Sequence, residues 1–133
     1  KETAAVKKAK EAEAKIDEAQ PVAEYIEFDE FEKVSMKVAE ILEVSEIEGS
    51  KKLLMFKLND GTPNGRTILS GIKAFYPEYQ TLVGKKVIFV ANLKPRTMMK
   101  KYVSEGMILS AEKDDKLVLT ILPDEAVPGA EIV

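Results

Sequence analysis

Residues 86–111 read KVIFVANLKPRTMMKKYVSEGMILSA. Residues 87–90 and 107–109 carry the β-branched, aromatic and aliphatic side chains that are typical of buried strands. The segment between them holds four cations before its first acid, Glu105: Lys94, Arg96, Lys100 and Lys101. The stretch therefore predicts two sheet strands joined by a basic, methionine-bearing loop, and such a loop is suited to bind a phosphate backbone.

Charge along the whole chain bears on the alternative, which is that these cations are only solvated surface. The net charge is −3, yet residues 49–101 contain 11 Lys or Arg against 2 Asp or Glu. The flanks are acidic, with 7 against 14 in residues 1–48 and 2 against 7 in residues 102–133. A basic middle inside a mildly acidic protein favours an anion-binding surface over the alternative that these cations are only solvated.

Composition limits the classes of function. A chain of 133 residues, 45% of them hydrophobic, predicts one globular domain plus an appendage. It contains no Cys and no His, which excludes disulfides, thiolate metal sites and Ser-His or Cys-His catalysis. We therefore predict no catalytic residue, metal ligand or cofactor. Because no apolar run approaches about 18 residues, we expect a soluble, cytoplasmic protein without a membrane partner.

The N-terminal region has a different composition from the rest. Residues 1–20 are rich in Ala, Glu and Lys, which predicts a helix with a thin apolar stripe. That helix is either a solvated linker to a preceding domain or an arm that packs on a partner. Residues 21–33 are interpreted as an irregular lead-in. The expected division is a helical linker and lead-in at 1–27, a barrel domain at 28–122 and an extension at 123–133.

Strand periodicity begins at Val34. Strands are predicted at 34–47, with a bulge after Ile41, and at 53–58, 67–69, 86–92, 106–112 and 116–122. Turns are expected at 48–50, 59–65 and 114–115, and a short helical insertion at 72–83. Short strands at about ten-residue spacing predict an all-β fold, a five-stranded Greek-key barrel of the OB type. A β-sandwich is the alternative architecture.

Seven short motifs occur in the order and approximate spacing of a known family. They are Lys52-Leu53, Ser70-Gly71-Ile72, Pro77-Glu78, Val83-Gly84-Lys85-Lys86-Val87, Asn92-Leu93-Lys94-Pro95, Ser104-Glu105-Gly106-Met107 and Pro128-Gly129. Over about residues 28–133 the chain resembles the tRNA-binding domain. That domain is found at the C-terminus of many methionyl-tRNA synthetases, in free-standing bacterial tRNA-binding proteins and in cytokine-like factors of eukaryotic synthetase complexes.

The resemblance implies an OB barrel that binds folded tRNA by shape and backbone and adds affinity to a catalytic domain elsewhere in a parent synthetase. It also implies a homodimer, with residues 123–133 helping to form the interface. Two departures from the family pattern are visible. Glu48-Gly49-Ser50 replaces a usual His-Pro turn, and the interval from Asn92 to Ser104 is about one residue longer, with Lys100-Lys101-Tyr102 where a Gly is common.

Candidate tRNA-binding residues follow from the basic loop and from the resemblance. They are Asn92, Lys94, Arg96, Lys100, Lys101, Ser104, Met107, Lys52 and Lys86. Each has a structural alternative: a solvated cation, a turn-forming Asn, a Ser that only ties the loop, or a core Met. Additional residues are interpreted as widening the basic surface or as stacking platforms, namely Lys51, Arg66, Lys73, Lys85, Tyr76, Tyr79 and Tyr102.

Two classes of function remain in view. The first is a non-catalytic tRNA-binding module, which predicts steep salt dependence. The second is a dimeric association or chaperone-like module, which predicts an exposed apolar groove and little salt dependence. An enzyme is disfavoured, because the chain has neither His nor Cys nor a Gly-rich phosphate loop.

Overall fold

The computed structural model of this chain describes residues 24–133. The predicted helix at 1–20 lies outside the described residues. Within the predicted irregular lead-in, Phe28–Glu32 forms one helical turn, α1, so that prediction was wrong for these residues. The turn is held at its start, where the Phe31 amide donates to the Glu27 carbonyl at 3.3 Å and the Glu30 carboxylate accepts from the Glu27 amide at 3.3 Å.

Ten strands lie in the compact unit Lys33–Val133. They are β1 (Met36–Glu46), β2 (Leu54–Asn59), β3 (Arg66–Ser70), β4 (Lys86–Val90), β5 (Arg96–Met98), β6 (Tyr102–Ser104), β7 (Met107–Ile108), β8 (Ser110–Lys113), β9 (Lys116–Leu119) and β10 (Ile121–Leu122). The main sheet has the order β10-β4-β1-β2-β3, with β7 also paired to β4. The pairs β5–β6 and β8–β9 are separate hairpins. Every pairing is antiparallel, which confirms the all-β prediction.

Several predicted details are confirmed. The long first strand shifts register against β2 between Ile41 and Glu43, where the bulge was expected. It pairs with β4 over residues 36–40 and with β2 over residues 40–46. The insertion between β3 and β4 consists of two 3-10 helices, Lys73–Phe75 and Tyr79–Leu82. The turn at Asp114 and Asp115 joins β8 to β9.

The last two predicted strands are each interrupted, and the main sheet contains six strands. The five-stranded form of the barrel stays a prediction. The predicted strand 106–112 breaks at Leu109 and the predicted strand 116–122 breaks at Thr120. These two residues face each other, because the Thr120 amide and hydroxyl both donate to the Leu109 carbonyl, at 3.2 and 2.9 Å. A Thr side chain that bonds a backbone carbonyl competes with the regular ladder, which accounts for the break.

The core lies between the inward faces of the sheet strands. In β2 the alternation of Leu54, Phe56 and Leu58 with outward residues puts all three side chains inside. Ile41, Ile68 and Phe89 from β1, β3 and β4 are likewise fully buried. Because these strands share one core, their relative positions are set, and so are the starting points of the loops that connect them. Within residues 24–133 no helix is long and apolar enough to cross a membrane.

In the predicted C-terminal extension, residues 123–130 contain no strand. They are nevertheless held by backbone bonds along β1. The Val38 amide donates to the Ala130 carbonyl at 2.9 Å, the Gly129 amide to the Val38 carbonyl at 2.7 Å and the Ile132 amide to the Met36 carbonyl at 2.9 Å. A Cβ on Gly129 would stand 3.1 Å from the Asp60 carbonyl oxygen, so a glycine is needed where the tail crosses the β2–β3 turn.

Candidate nucleic-acid interface

The basic loop predicted between two strands contains an ordered hairpin, β5–β6. Arg96 pairs with Ser104 and Met98 pairs with Tyr102, and the Lys101 amide donates to the Met98 carbonyl at 3.3 Å. The two central residues of this turn, Met99 and Lys100, have φ of 52° and 64°. Positive φ at both positions is the pattern of a type I′ hairpin turn. Lys100 and Lys101 are therefore presented at the tip of a hairpin rather than on an irregular loop.

The hairpin tip lies beside the turn between β1 and β2. The Met99 Cε atom would stand 3.6 Å from a Cβ built on Gly49. That turn is itself ordered, because the Ser50 hydroxyl accepts from the amides of Lys52, at 3.3 Å, and Leu53, at 3.1 Å. The turn that carries Lys52 and the tip that carries Lys100 thus occupy the same end of the sheet. In OB-type barrels the two corresponding loops border the oligonucleotide-binding face.

A shallow groove of about 310 Å³ runs along the base of the hairpin. It is lined by residues from β3, from the segment after β4, from the hairpin and from β7: Leu69, Leu93, Lys94, Arg96, Met98, Ser104, Gly106 and Met107. Four of the predicted site residues meet there, namely Lys94, Arg96, Ser104 and Met107. Leu93 and Met107 are about half exposed, at 46% and 48%, so Met107 lines the groove rather than filling the core.

Two predicted site residues have structural partners within the chain. Asn92 accepts from the Ser35 amide at 2.9 Å and donates from Nδ2 to the Lys33 carbonyl at 2.6 Å. The buried Ser104 hydroxyl accepts from the Leu69 amide at 3.0 Å and donates to the Gly106 carbonyl at 3.2 Å. The Asn92 bonds tie one end of the basic segment to the residues before β1, and the Ser104 hydroxyl ties the other end to β3. A direct contact of either side chain with RNA stays a prediction.

Lys86 is not brought to the hairpin. It begins β4, whose other end leads to Asn92, and a five-residue strand spans about 13 Å. Its ammonium donates to the Asp124 carbonyl at 3.0 Å, so the side chain holds the C-terminal residues. Lys73, which was interpreted as part of the basic surface, is paired with Glu46. Hydrogen bonds from Lys73 and from the Tyr79 hydroxyl hold the pKa of Glu46 below its ordinary value.

The cations around the hairpin and groove are exposed. Within residues 24–133, Lys52, Lys94, Arg96, Lys100 and Lys101 have no carboxylate at ion-pair distance. Lys101 has a partner of another kind, since its ammonium lies 5.1 Å from the centre of the Tyr102 ring. This end of the sheet therefore presents a positive surface that is open to an anionic ligand.

Sequence reasoning missed the roles of Arg66, Asp60 and Glu105. Arg66 was interpreted as a surface cation, but its guanidinium pairs with the buried Asp60, with Nε 3.1 Å from Oδ2. Burial raises the pKa of Asp60, yet the hydrogen bonds from Thr62 and Arg66 outweigh it and the net pKa lies below the ordinary value. Glu105 bonds β3, since its amide donates to the Thr67 carbonyl at 2.8 Å. Only the Asp-Gly turn signal at 60–61 marked this region in the sequence.

Comparison with known proteins agrees with this geometry. The family model described as "Putative tRNA binding domain" matches residues 36–131. A methionine–tRNA ligase of Lactococcus lactis is 62% identical over 109 residues, which are 81% of this chain and 16% of that relative. The chain thus spans about a sixth of the length of such ligases.

Solved structures show the same likeness. A protein related to methionyl-tRNA synthetase from Pyrococcus horikoshii superposes with a TM-score of 0.76 at 38% identity, over 83% of this chain and 99% of that one. The CsaA chaperone protein of Picrophilus torridus superposes with a TM-score of 0.70 at 28% identity, over 82% and 100% of the two chains. A family match over most of the chain, on a fold whose basic hairpin and groove meet at one end, leads to one conclusion: this chain belongs to the tRNA-binding domain family.

Proposed function

We propose that this chain is a non-catalytic module that binds folded tRNA and raises the affinity of a methionyl-tRNA synthetase for it in the cytoplasm. The catalytic domain of that synthetase would be its covalent partner. High identity to a segment of methionine–tRNA ligases supports the assignment of the parent. The observation that carries the binding role is the joining of the β5–β6 tip, the β1–β2 turn and the groove into one basic surface.

The same surface favours backbone and shape recognition over reading of bases. Lys52, Lys94, Arg96, Lys100 and Lys101 are suited to phosphates, and such contacts carry no sequence information by themselves. Tyr102 is the only aromatic residue in residues 92–107, and one of its faces is occupied by Lys101. Because single-strand binding relies on several stacking platforms, a folded RNA suits this surface better than an unpaired strand.

The test is a titration of the 133-residue chain with folded tRNA, single-stranded DNA of equal length and an unrelated duplex, at several salt concentrations. We expect the tightest binding for tRNA, with log affinity falling linearly with log salt. The variant Lys100→Glu with Lys101→Glu should bind tRNA at least about tenfold more weakly, and its salt slope should be smaller by roughly 1.4–1.8 because two phosphate contacts are lost.

A matched control carries the same charge change on the other hairpin. Lys113 and Lys116 are exposed and flank the β8–β9 turn, so Lys113→Glu with Lys116→Glu alters net charge equally. This control should retain affinity within about twofold once long-range charge is screened. Equal losses in both variants, or wild-type affinity in the first, would remove the β5–β6 hairpin from the site.

A second candidate function is an association or chaperone-like role. It is supported by the half-exposed Leu93 and Met107 in the groove and by the structural likeness to the CsaA chaperone protein. Adaptable methionines are common on surfaces that bind varied apolar segments. Binding of an unfolded apolar peptide that persists at high salt, together with no tRNA binding at moderate salt, would favour this candidate over the first.

We also propose that the chain forms a homodimer through residues 123–133 and the strands beside them. Val118, Ile121 and Val127 are 56%, 45% and 66% exposed, and these apolar side chains, in and just before the C-terminal residues, support an apolar contact. Sedimentation over a range of concentrations should detect a dimer whose dissociation is insensitive to salt. Val118→Lys with Val127→Lys should shift the equilibrium to monomer, and an unchanged dimer would exclude this surface.

A further inference from the structure

Arg66 connects three parts of the molecule that are distant in sequence. It is the first residue of β3, and its guanidinium pairs with Asp60 in the β2–β3 turn. Its Nη1 donates to the Ala91 carbonyl at 2.9 Å and to the Glu105 carbonyl at 2.7 Å. The guanidinium carbon also lies 4.9 Å from the centre of the buried Phe89 ring. Its position is therefore set by an ion pair, two carbonyls and an aromatic face.

The two carbonyls bound by Arg66 stand at the two ends of one segment. Ala91 directly follows β4 and Glu105 directly follows β6. Between them lie the whole β5–β6 hairpin and four of the candidate cations, Lys94, Arg96, Lys100 and Lys101. One nitrogen atom thus joins the base of the segment that would contact tRNA. Holding both ends restricts how far the hairpin can swing relative to the β1–β2 turn.

Asp60 orients this guanidinium. Its side chain is 3% exposed, and its Oδ1 accepts from the Thr62 hydroxyl at 2.5 Å and from the Thr62 amide at 3.1 Å, while Oδ2 faces Arg66. Both carboxylate oxygens are thus occupied, and the charge-assisted bond from Nε holds the guanidinium beside the carboxylate. A buried carboxylate of this kind needs its cation, so the two residues act as one unit.

We propose that Arg66, oriented by Asp60, is a positioning residue for tRNA binding: it holds residues 92–104 in the geometry that places Lys100 and Lys101 beside the β1–β2 turn. The inference rests on the proposed tRNA-binding function. It assigns Arg66 an effect on affinity through the hairpin and not through a phosphate contact of its own. The affinity for tRNA that Lys100 and Lys101 provide therefore depends on the bonds that Arg66 makes with Asp60 and with the two carbonyls.

A double-mutant cycle on tRNA affinity separates the two roles. The paired variant Asp60→Asn with Arg66→Gln removes both charges together, so that no unpaired buried charge is left to unfold the chain. It should weaken tRNA binding about tenfold in the wild-type background and less than about twofold in the Lys100→Glu, Lys101→Glu background, because the hairpin then has little affinity to lose. Lys57→Gln, an exposed cation of β2, is the control for loss of one positive charge and should have little effect.

Amide hydrogen exchange of the same proteins is the second measurement. The paired variant should speed exchange in residues 96–104 relative to β1 and β2. Equal weakening of tRNA binding in both backgrounds would make Arg66 a direct contact, and unchanged affinity or unchanged exchange would leave it without a positioning role. Either result overturns the inference alone, since the wild-type chain would still bind tRNA. Absence of wild-type binding would instead overturn the proposed function and the inference with it.

Discussion

Ser104 contributes hydrogen bonds to the sheet at the edge of the candidate binding surface. Its hydroxyl accepts from the Leu69 amide of β3 and donates to the Gly106 carbonyl that precedes β7. Because β7 pairs with β4, this hydroxyl links β3 to the segment that leads into β7 and so to β4. The groove residues Arg96 and Met107 flank it. The shape of the groove therefore depends on a buried hydrogen bond.

Replacing Ser104 by Ala should lower the free energy of unfolding by about 1–3 kcal/mol, because the Leu69 amide would lose its acceptor inside the domain. Urea denaturation followed by circular dichroism measures the change. The exposed Ser110, at the start of β8, is the control, and Ser110→Ala should stay within about 0.5 kcal/mol of wild type. Equal stability of the two variants would show that the Ser104 bonds contribute nothing.

At the scale of elements, the connection from β6 to β7 is the tightest part of the site. Gly106 has a φ of 143°, and a Cβ built on it would stand 2.5 Å from the Val90 carbonyl oxygen at the end of β4. No side chain can occupy that space without a shift of the backbone. The close approach lets β7 pair with β4 while residues 104–105 bond β3.

Gly106→Ala should therefore lower the thermal midpoint by roughly 6–20 °C, in line with a loss of about 2–4 kcal/mol. Gly71→Ala is a matched control, because within the described part of the chain no atom lies within 4 Å of a Cβ at that position. Scanning calorimetry of both variants decides the matter. A Gly106→Ala protein as stable as the Gly71→Ala protein would contradict the close approach.

The β5–β6 hairpin was not predicted from the sequence, and its turn residues explain why. Hairpin signals in sequence depend on Asn-Gly or Asp-Gly pairs, because those residues adopt positive φ at low cost. Here Met99 and Lys100 adopt positive φ instead, although neither residue type has a turn preference. Local propensity therefore gave no signal for this turn. The β8–β9 turn at Asp114 and Asp115, made of residues with a known turn preference, was predicted.

At the scale of the whole molecule, the C-terminal residues complete the sheet. The tail bonds the amide and carbonyl of Val38 and the carbonyl of Met36, all on the edge of β1 that β2 leaves free. Lys86 adds a bond to the Asp124 carbonyl. The segment that the family resemblance assigns to dimerisation therefore also stabilises its own chain.

Deleting residues 123–133 should lower the free energy of unfolding by about 2–4 kcal/mol, because three backbone hydrogen bonds are lost and an edge of β1 is exposed. Removal of the exposed Val133 alone is the control and should change little. Urea denaturation at concentrations where wild type and variant are both monomeric separates this effect from dimerisation. A truncated chain of unchanged stability would show that the tail acts only between subunits.

The sequence by itself determined the all-β class, the bulged first strand, the insertion before β4 and the basic middle of the chain. Each of these depends on residues that are close in sequence, since alternation, turn preference and charge density are local properties. The family could be recognised for the same reason, because its motifs are short and continuous. Lys94, Arg96 and Met107 of the groove lie in one stretch of sequence, so that stretch could be singled out as a candidate binding region.

Only the tertiary structure decided which cations are available to a ligand. Lys86 was predicted as a site residue like Lys100, and Arg66 and Lys73 were predicted to widen the basic surface, yet each has a partner within the chain: the Asp124 carbonyl, Asp60 and Glu46, respectively. It also decided that Asn92 and Ser104 tie the two ends of the hairpin segment to the residues before β1 and to β3. These partners lie 6 to 59 residues away along the chain. Such pairings follow from how the strands come together, and local sequence patterns carry no information about them.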